Sequence, residues 1–293
     1  MARTATVLTP AKVNLVLRVV GKLDGGYHEL ESLMVPISLY DELRLTVSPA
    51  ASTTRVRCKV EGPERIGVDS NNLAVIATRA VLDELSVAAI VDITIAKFIP
   101  CGAGLGGGSS DAAAVMNLLP SLVGRRIPPN RKSEMALELG SDVPFFLRCR
   151  PAFARGRGER LTPLPGLPPL HFLVVVPERR VSTAWAFENA LEGLTSRGAG
   201  TNLLRLLVGG KPLHSLLAND FEKGVGEAVP ETTEARELLV SLGAIGAVLS
   251  GTGSAVVGLF ESAAASRAAA KHFAAPYRVY TAGLLKGRPR RRR

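Results

Sequence analysis

The densest chemical signal in the chain is the run Pro100-Cys101-Gly102-Ala103-Gly104-Leu105-Gly106-Gly107-Gly108-Ser109-Ser110. Glycine lets a backbone adopt positive φ and approach a ligand closely. Successive exposed N–H groups then form an anion-binding nest. An alanine-rich helix is expected over residues 110–122, and its free amides and dipole add to the attraction for phosphate. Ser109 or Ser110 could cap that helix or reach a metal ion. The run is not a P-loop, because no Gly-Lys-Ser/Thr follows the glycines. Gly102-x-Gly104-x-x-Gly107 formally fits a dinucleotide fingerprint, but Ile127-Pro128-Pro129 stands where the ribose-binding carboxylate would be. Protein-kinase catalytic motifs are absent.

Two further places could act on a substrate. Asp142 lies beside the apolar run 143–147, where a carboxylate needs a partner or its pKa rises. Lys12 and Asn14 share the less apolar face of a strand. A Lys–Asp pair would keep the aspartate ionised and aim it at a hydroxyl. The plainer alternatives are a helix-cap or turn aspartate and a solvent-facing lysine. Tyr27 and His28 follow the turn Asp24-Gly25-Gly26. An exposed aromatic there could stack on a base and a histidine could read its edge, or the tyrosine could pack on its own strand.

These residues need a scaffold. Residues 12–20 alternate as a half-buried strand, with Val13, Leu15, Leu17 and Val19 on one face. Residues 41–47, 54–60 and 91–95 also predict strands, and 72–85 and 132–139 predict helices. The proline cluster at 163, 165, 168 and 169 predicts a boundary near residue 165. After it come a strand at 171–176, a helix at 183–191, a flexible loop at 196–200 and a helix at 231–242. Strands at 247–250 and 255–259, a helix at 262–272 and a strand at 277–281 complete the pattern. Helices and strands are mixed rather than strictly alternating, which predicts an α+β fold.

Composition sets the outer limits. The 293 residues are 46% hydrophobic and 21% charged, with 29 glycines, 19 prolines and three cysteines, which excludes a disordered, collagenous or disulfide-scaffold protein. Cys58, Cys101 and Cys149 are widely spaced and form no CxxC pair. No apolar run approaches a membrane span, and the N-terminus lacks a signal-peptide layout, so a cytoplasmic setting is expected. The formal charge is +10, but one lysine and five arginines fall in the last ten residues, and without those six charges +10 becomes +4. Residues 284–293 are expected to be a basic, disordered tail, and a nucleic-acid-binding function would have to rest on it.

The glycine run, continued into Asp111-Ala112-Ala113, resembles the ATP-binding motif of the GHMP kinases. The triple glycine before Ser-Ser-Asp-Ala-Ala is most similar to the branch of that superfamily that phosphorylates 4-diphosphocytidyl-2-C-methyl-D-erythritol. Pro10-Ala11-Lys12-Val13-Asn14-Leu15, Gly26-Tyr27-His28-Glu29-Leu30, Gly140-Ser141-Asp142-Val143-Pro144-Phe145-Phe146, Asn219-Asp220-Phe221-Glu222 and Ser250-Gly251-Thr252-Gly253-Ser254 resemble its other landmarks, in the same order. The resemblance implies a two-lobed α+β fold, with a ribosomal-protein-like lobe over 1–165 and a ferredoxin-like lobe over 166–283. It implies ATP-dependent transfer to the 2-hydroxyl of that acceptor in the non-mevalonate isoprenoid pathway, with Mg²⁺ accompanying ATP. It assigns Lys12 and Asp142 to catalysis, 100–110 with Lys97 and Asn72 to ATP, and Asn14, Tyr27, His28, Thr183 and Phe187 to the acceptor. Met34 stands where some members have a phenylalanine on the cytosine's other face. Another GHMP activity, on homoserine or mevalonate, is the rival reading; no membrane partner is expected.

Overall fold

A computed structural model of the chain describes residues 1–64, 71–164, 166–191 and 210–287. The expected loop at 196–200, Pro165 and residues 288–293 lie outside the described residues. The strands are β1 (Arg3–Lys22), β2 (His28–Pro49), β3 (Arg55–Glu61), β4 (Ala89–Ala96), β5 (Ala152–Gly156), β6 (Arg160–Pro163), β7 (His171–Val176), β8 (Ala218–Asn219), β9 (Gly246–Leu249), β10 (Val256–Phe260) and β11 (Arg278–Gly283). The helices are α1 (Leu73–Glu84), α2 (Gly107–Leu122), α3 (Pro129–Leu139), α4 (Val143–Arg148), α5 (Thr183–Asn189), α6 (Glu222–Ala228), α7 (Pro230–Ser241) and α8 (Ala263–Ala270).

Two sheets organise them, as the mixed element pattern predicts. A seven-stranded sheet runs β3-β4-β2-β1-β8, with β5 on β2 and β6 on β5. Its spine is the long antiparallel pair β1–β2, running from Arg3 opposite Val47 to Lys22 opposite His28 with three register shifts between. The first half of β2 and the β5–β6 hairpin have no counterpart in the sequence reading. Nor does the reading of β1 as half-buried hold. Lys12, Val13, Asn14, Leu15 and Val16 are all buried, because both faces of the strand are covered. A register shift between Asn14 and Val16 inserts an extra residue and breaks the alternation there.

The second sheet is a four-stranded antiparallel one in the order β11-β7-β10-β9. In β7, Phe172, Val174 and Val176 face a core shared with Val13, Leu15 and Val35 of the first sheet. Leu173 and Val175 face a core built with Phe221 and Val225 beside α6, Ala235 and Leu239 of α7, and Ala269 of α8. A strand buried on both sides reads as a continuous apolar run, as His171–Val176 does. Two short β8 residues join the first sheet in parallel with Val16 and Leu17. Leu284 and Leu285, assigned by the sequence reading to the tail, are held instead by the carbonyls of Leu170 and Pro36.

Candidate functional site

The glycine run forms a loop between β4 and α2. Gly102, Gly104 and Gly106 have φ of +64°, +76° and +70°, which side-chain-bearing residues rarely adopt. Space is as restrictive as conformation: a Cβ on Gly104 would lie 2.1 Å from the Ser250 carbonyl oxygen. Helix α2 starts at Gly107, with Gly106 as its N-cap. Ser109 and Ser110 therefore sit in the first turn and do not cap it. The amides of Gly107, Gly108 and Ser109 belong to the start of the helix, where no preceding carbonyl can receive them. Their N–H groups are left free at the helix start, the position where the sequence reading expects an anion.

The loop is fastened from both sheets. Lys12 N donates to Leu105 O at 2.9 Å, and Ala255 N donates to Ala103 O at 3.2 Å. The Ser250 hydroxyl donates to Gly104 O at 3.2 Å and accepts from Asn14 N at 3.3 Å. Asn219 holds the Ser250–Ser254 turn in place, its amide donating to Leu249 O and Gly251 O, both at 2.8 Å. The later signatures seen in the sequence thus buttress the loop.

Lys97, expected on the adenosine side, lies under the loop with 1% of its surface exposed. Its ammonium is bonded to Asp41 Oδ2 and, at 3.0 Å, to Asp111 Oδ2. Thr9 donates to Asp111 Oδ1 at 2.7 Å, and the amides of Phe98 and Ile99 donate to Asp41 Oδ1. Burial and then the neighbouring Asp111 push the Asp41 carboxyl up to about 6, against the pull of Lys97. Burial alone would lower Lys97, but Asp111 and Asp41 more than offset it and hold the ammonium protonated well above its usual range. The ion group supports the loop from below, and its charge is directed at carboxylates. Asn72, the other expected adenosine contact, caps α1, its Oδ1 accepting from Ala74 N at 2.9 Å.

Beside the loop lies the expected pair. Lys12 Nζ is 3.2 Å from Asp142 Oδ2, with side-chain exposures of 4% and 35%. It also donates to Asn14 Oδ1 at 2.5 Å. Asn14 in turn donates to Ser32 Oγ at 2.7 Å, and Ser32 to Val16 O at 2.7 Å. Every link fixes the lysine's direction. Asp142 precedes α4 but makes no side-chain cap, so its carboxylate is left to the lysine and the cleft.

A cleft of about 590 Å³ joins these parts. It brings together Lys12, Asn14, Lys97, loop residues 100–109, Asp142, Thr183 and Phe187, but Ser110, Asn72, Tyr27 and His28 do not line it. The His28 ring stacks behind Phe187, centroids 5.1 Å apart, and Phe187 in turn meets Phe221 edge-on at 4.9 Å. Burial, then the nearby Lys22 charge, hold the His28 imidazole below its usual value. The Tyr27 ring is covered by the Arg157 guanidinium. Met34 is packed in the core of the first sheet and also lines the cleft, as Phe187 does. Thr183 meets Thr252 across the cleft, hydroxyls 3.3 Å apart.

Asp41, its pairing with Lys97, and Glu64 escaped the sequence reading. Asp41 is in phase with buried Leu43, Leu45 and Val47, and Lys97 with buried Val91, Ile93 and Ile95. Opposite charges at the buried phase of two adjacent strands were the signal for the pair. Glu64 left no such signal. It gathers Cys101 N at 3.1 Å, Arg180 at 3.5 Å and Arg278, joining the loop to the second sheet. Burial pushes its pKa up, but the Cys101 amide and the two arginines outweigh that and hold it low.

A glycine loop at a helix start, set between two fused α+β lobes with a Lys–Asp pair beside it, defines a GHMP kinase. The chain matches the GHMP kinases N terminal domain over residues 72–150 and the GHMP kinases C terminal domain over residues 205–278. It is 39% identical over 265 residues to the 4-diphosphocytidyl-2-C-methyl-D-erythritol kinase of Syntrophotalea carbinolica, covering 90% of this chain and 92% of that one. It is 41% identical over 269 residues to that of Citrifermentans bemidjiense, covering 92% and 94%. Within the GHMP kinases, the chain belongs to the 4-diphosphocytidyl-2-C-methyl-D-erythritol kinase family. A crystal structure of a 4-(cytidine 5'-diphospho)-2C-methyl-D-erythritol kinase superposes with a TM-score of 0.74 at 37% identity, covering 97% of this chain and 99% of that one. A homoserine kinase from Cytophaga hutchinsonii shares the fold, with a TM-score of 0.73 at 19% identity, covering 99% and 96%.

Proposed function

We propose that this small-molecule kinase transfers the γ-phosphoryl group of ATP to the 2-hydroxyl of 4-diphosphocytidyl-2-C-methyl-D-erythritol, a step of the non-mevalonate isoprenoid pathway. The observation that carries the reading is the Lys12–Asp142 pair at 3.2 Å, in a cleft with the glycine loop on one side and Phe187 on the other. Phosphoryl transfer asks the protein for alignment and charge neutralisation more than for covalent chemistry. The triphosphate would lie against the amides of residues 107–109. The acceptor hydroxyl would donate a hydrogen bond to Asp142, which directs its lone pair at the γ-phosphorus. The new oxygen–phosphorus bond would form as the bond to the β,γ-bridging oxygen breaks, the hydroxyl proton would pass to Asp142, and ADP would leave with the electrons of the broken bond. Lys12 would stabilise the charge on the transferring group. Phe187, with Tyr27 and His28 behind the cleft wall, would supply the nucleoside-side binding that positions the hydroxyl.

Mg²⁺ would accompany ATP. Among the described residues no cluster of three His, Cys, Asp or Glu side chains could hold a metal. A site with one partly exposed carboxylate, Asp142, and one first-turn hydroxyl, Ser109, fits an ion whose remaining ligands are phosphate oxygens and water. Bound there, it neutralises charge on the phosphates.

The catalytic lobe is taken as residues 1–165 and the completing lobe as 166–283. The three free thiols support a reducing, cytoplasmic setting. No helix among the described residues is long and apolar enough to cross a membrane. The test is ATP consumption with three acceptors offered separately: the cytidyl substrate, homoserine and mevalonate. Turnover on the first alone is expected. A higher kcat/KM on either of the others would overturn the assignment.

A further inference from the structure

Among the described residues, three cationic side chains line the cleft. Lys12 is paired with Asp142, and Lys97 with Asp41 and Asp111. The third is Arg157, at the turn between β5 and β6. Its Nε is buried and finds no acceptor among the described residues. What its guanidinium does meet is the Tyr27 ring, with Cζ 3.6 Å from the ring centroid. Arg157 lines the cleft and Tyr27, stacked on its guanidinium, does not.

The turn that carries it is well fixed. Arg157 N donates to Glu159 Oε2 at 2.7 Å, and Gly158 N to Arg155 O at 3.2 Å. Gly158 packs on the loop that carries the catalytic aspartate: a Cβ there would lie 3.5 Å from Ser141 O. Arg157 is thus placed between the Tyr27 end of the site and the Lys12–Asp142 pair. A nucleoside joined to a reacting polyol through a diphosphate must span the same interval.

The chemistry suits that bridge. A guanidinium presents a planar fork of donors that matches two phosphate oxygens. Resting on an aromatic face, it keeps its orientation while its edge stays open to a ligand.

We infer that Arg157 is a specificity-determining residue that binds the diphosphate of a nucleoside diphosphate-linked acceptor. This rests on the reading above that the acceptor carries such a group. Arg157 touches no reacting atom, so it sets acceptor affinity and leaves the chemical step alone.

The test uses the full chain saturated with a non-hydrolysable ATP analogue, with CDP and cytidine as calorimetric probes. The wild type is expected to bind CDP about tenfold or more tightly than cytidine, as a charge-assisted contact implies. Arg157→Met should abolish that preference while cytidine affinity stays within about twofold; Arg157→Lys should keep part of it. In turnover, Arg157→Met should raise the acceptor KM with kcat and the ATP KM unchanged. A methionine variant that retains the CDP preference overturns the inference. So does one that weakens cytidine as much as CDP, which would make Arg157 a support for the base end. A wild type that binds neither probe and does not phosphorylate the cytidyl acceptor would overturn the acceptor reading itself, and the inference with it.

Discussion

The two ends of the cleft are built on different principles. The end proposed for the phosphates is backbone geometry: three glycines at positive φ, a helix start, and beneath them a buried Lys97 held by two carboxylates. The end proposed for the acceptor is side chains brought together from turns, a strand and a helix: His28 on Phe187, and Arg157 on Tyr27. A triphosphate co-substrate is common to kinases of such a superfamily, and a rigid backbone nest would serve it. The acceptor differs between members, and exchangeable side chains on a fixed scaffold can adapt to it. The first end should therefore fail globally when altered, and the second should fail selectively.

The largest stability effect is expected at Lys97. Lys97→Met leaves Asp41 and Asp111 facing each other without a cation, a loss of about 3–5 kcal/mol for a broken buried ion pair. A denaturant melt reads it, and an unchanged midpoint would mean that the ion group does not support the loop. Next is Gly104→Ala, which combines a positive φ with a contact of 2.1 Å. It should cost on the order of 3 kcal/mol and abolish binding of an ATP analogue. Retained nucleotide affinity would show that the loop can relax.

Changes at the other end should leave the fold intact. Tyr27→Ala should raise the acceptor KM by an amount corresponding to about 1–3 kcal/mol of stacking and guanidinium support, with the ATP KM unchanged. Parallel changes in both KM values would erase the distinction between the ends. The smallest effect concerns His28. Lys22 is the second cause, after burial, of its low pKa, so Lys22→Ala should move its titration up toward 6.5 without reaching it. The imidazole would then stay neutral over a narrower range, losing neutrality at a higher pH as the solution is acidified. An NMR titration that does not move would remove Lys22 from the account.

The same contrast explains what could be read from the sequence. The phosphate end was legible because glycine spacing specifies backbone conformation locally. The start of α2 was misplaced by three residues, since nothing local says which glycine of the triplet becomes the cap. Lys12 and Asp142 were recognisable as types; the need of Asp142 for a partner allowed the pair, and the family resemblance assigned it. Burial of Lys12 was not legible. It depends on both faces of β1 being covered and on a register shift at Asn14 that alternation cannot reveal. Asp41 and Lys97 were legible in principle, being charges in the buried phase of adjacent strands. Arg157 and Glu64 were not, because their partners come from segments far away in sequence and only the fold brings them together.

The central claim is that the Lys12–Asp142 pair acts on the acceptor hydroxyl. It is tested most directly by Asp142→Asn, in a steady-state assay with ATP and 4-diphosphocytidyl-2-C-methyl-D-erythritol, alongside calorimetric binding of the acceptor. The account predicts that kcat falls by about 10²–10⁴-fold while acceptor affinity stays close to that of the wild type. A variant that keeps near wild-type kcat would contradict it.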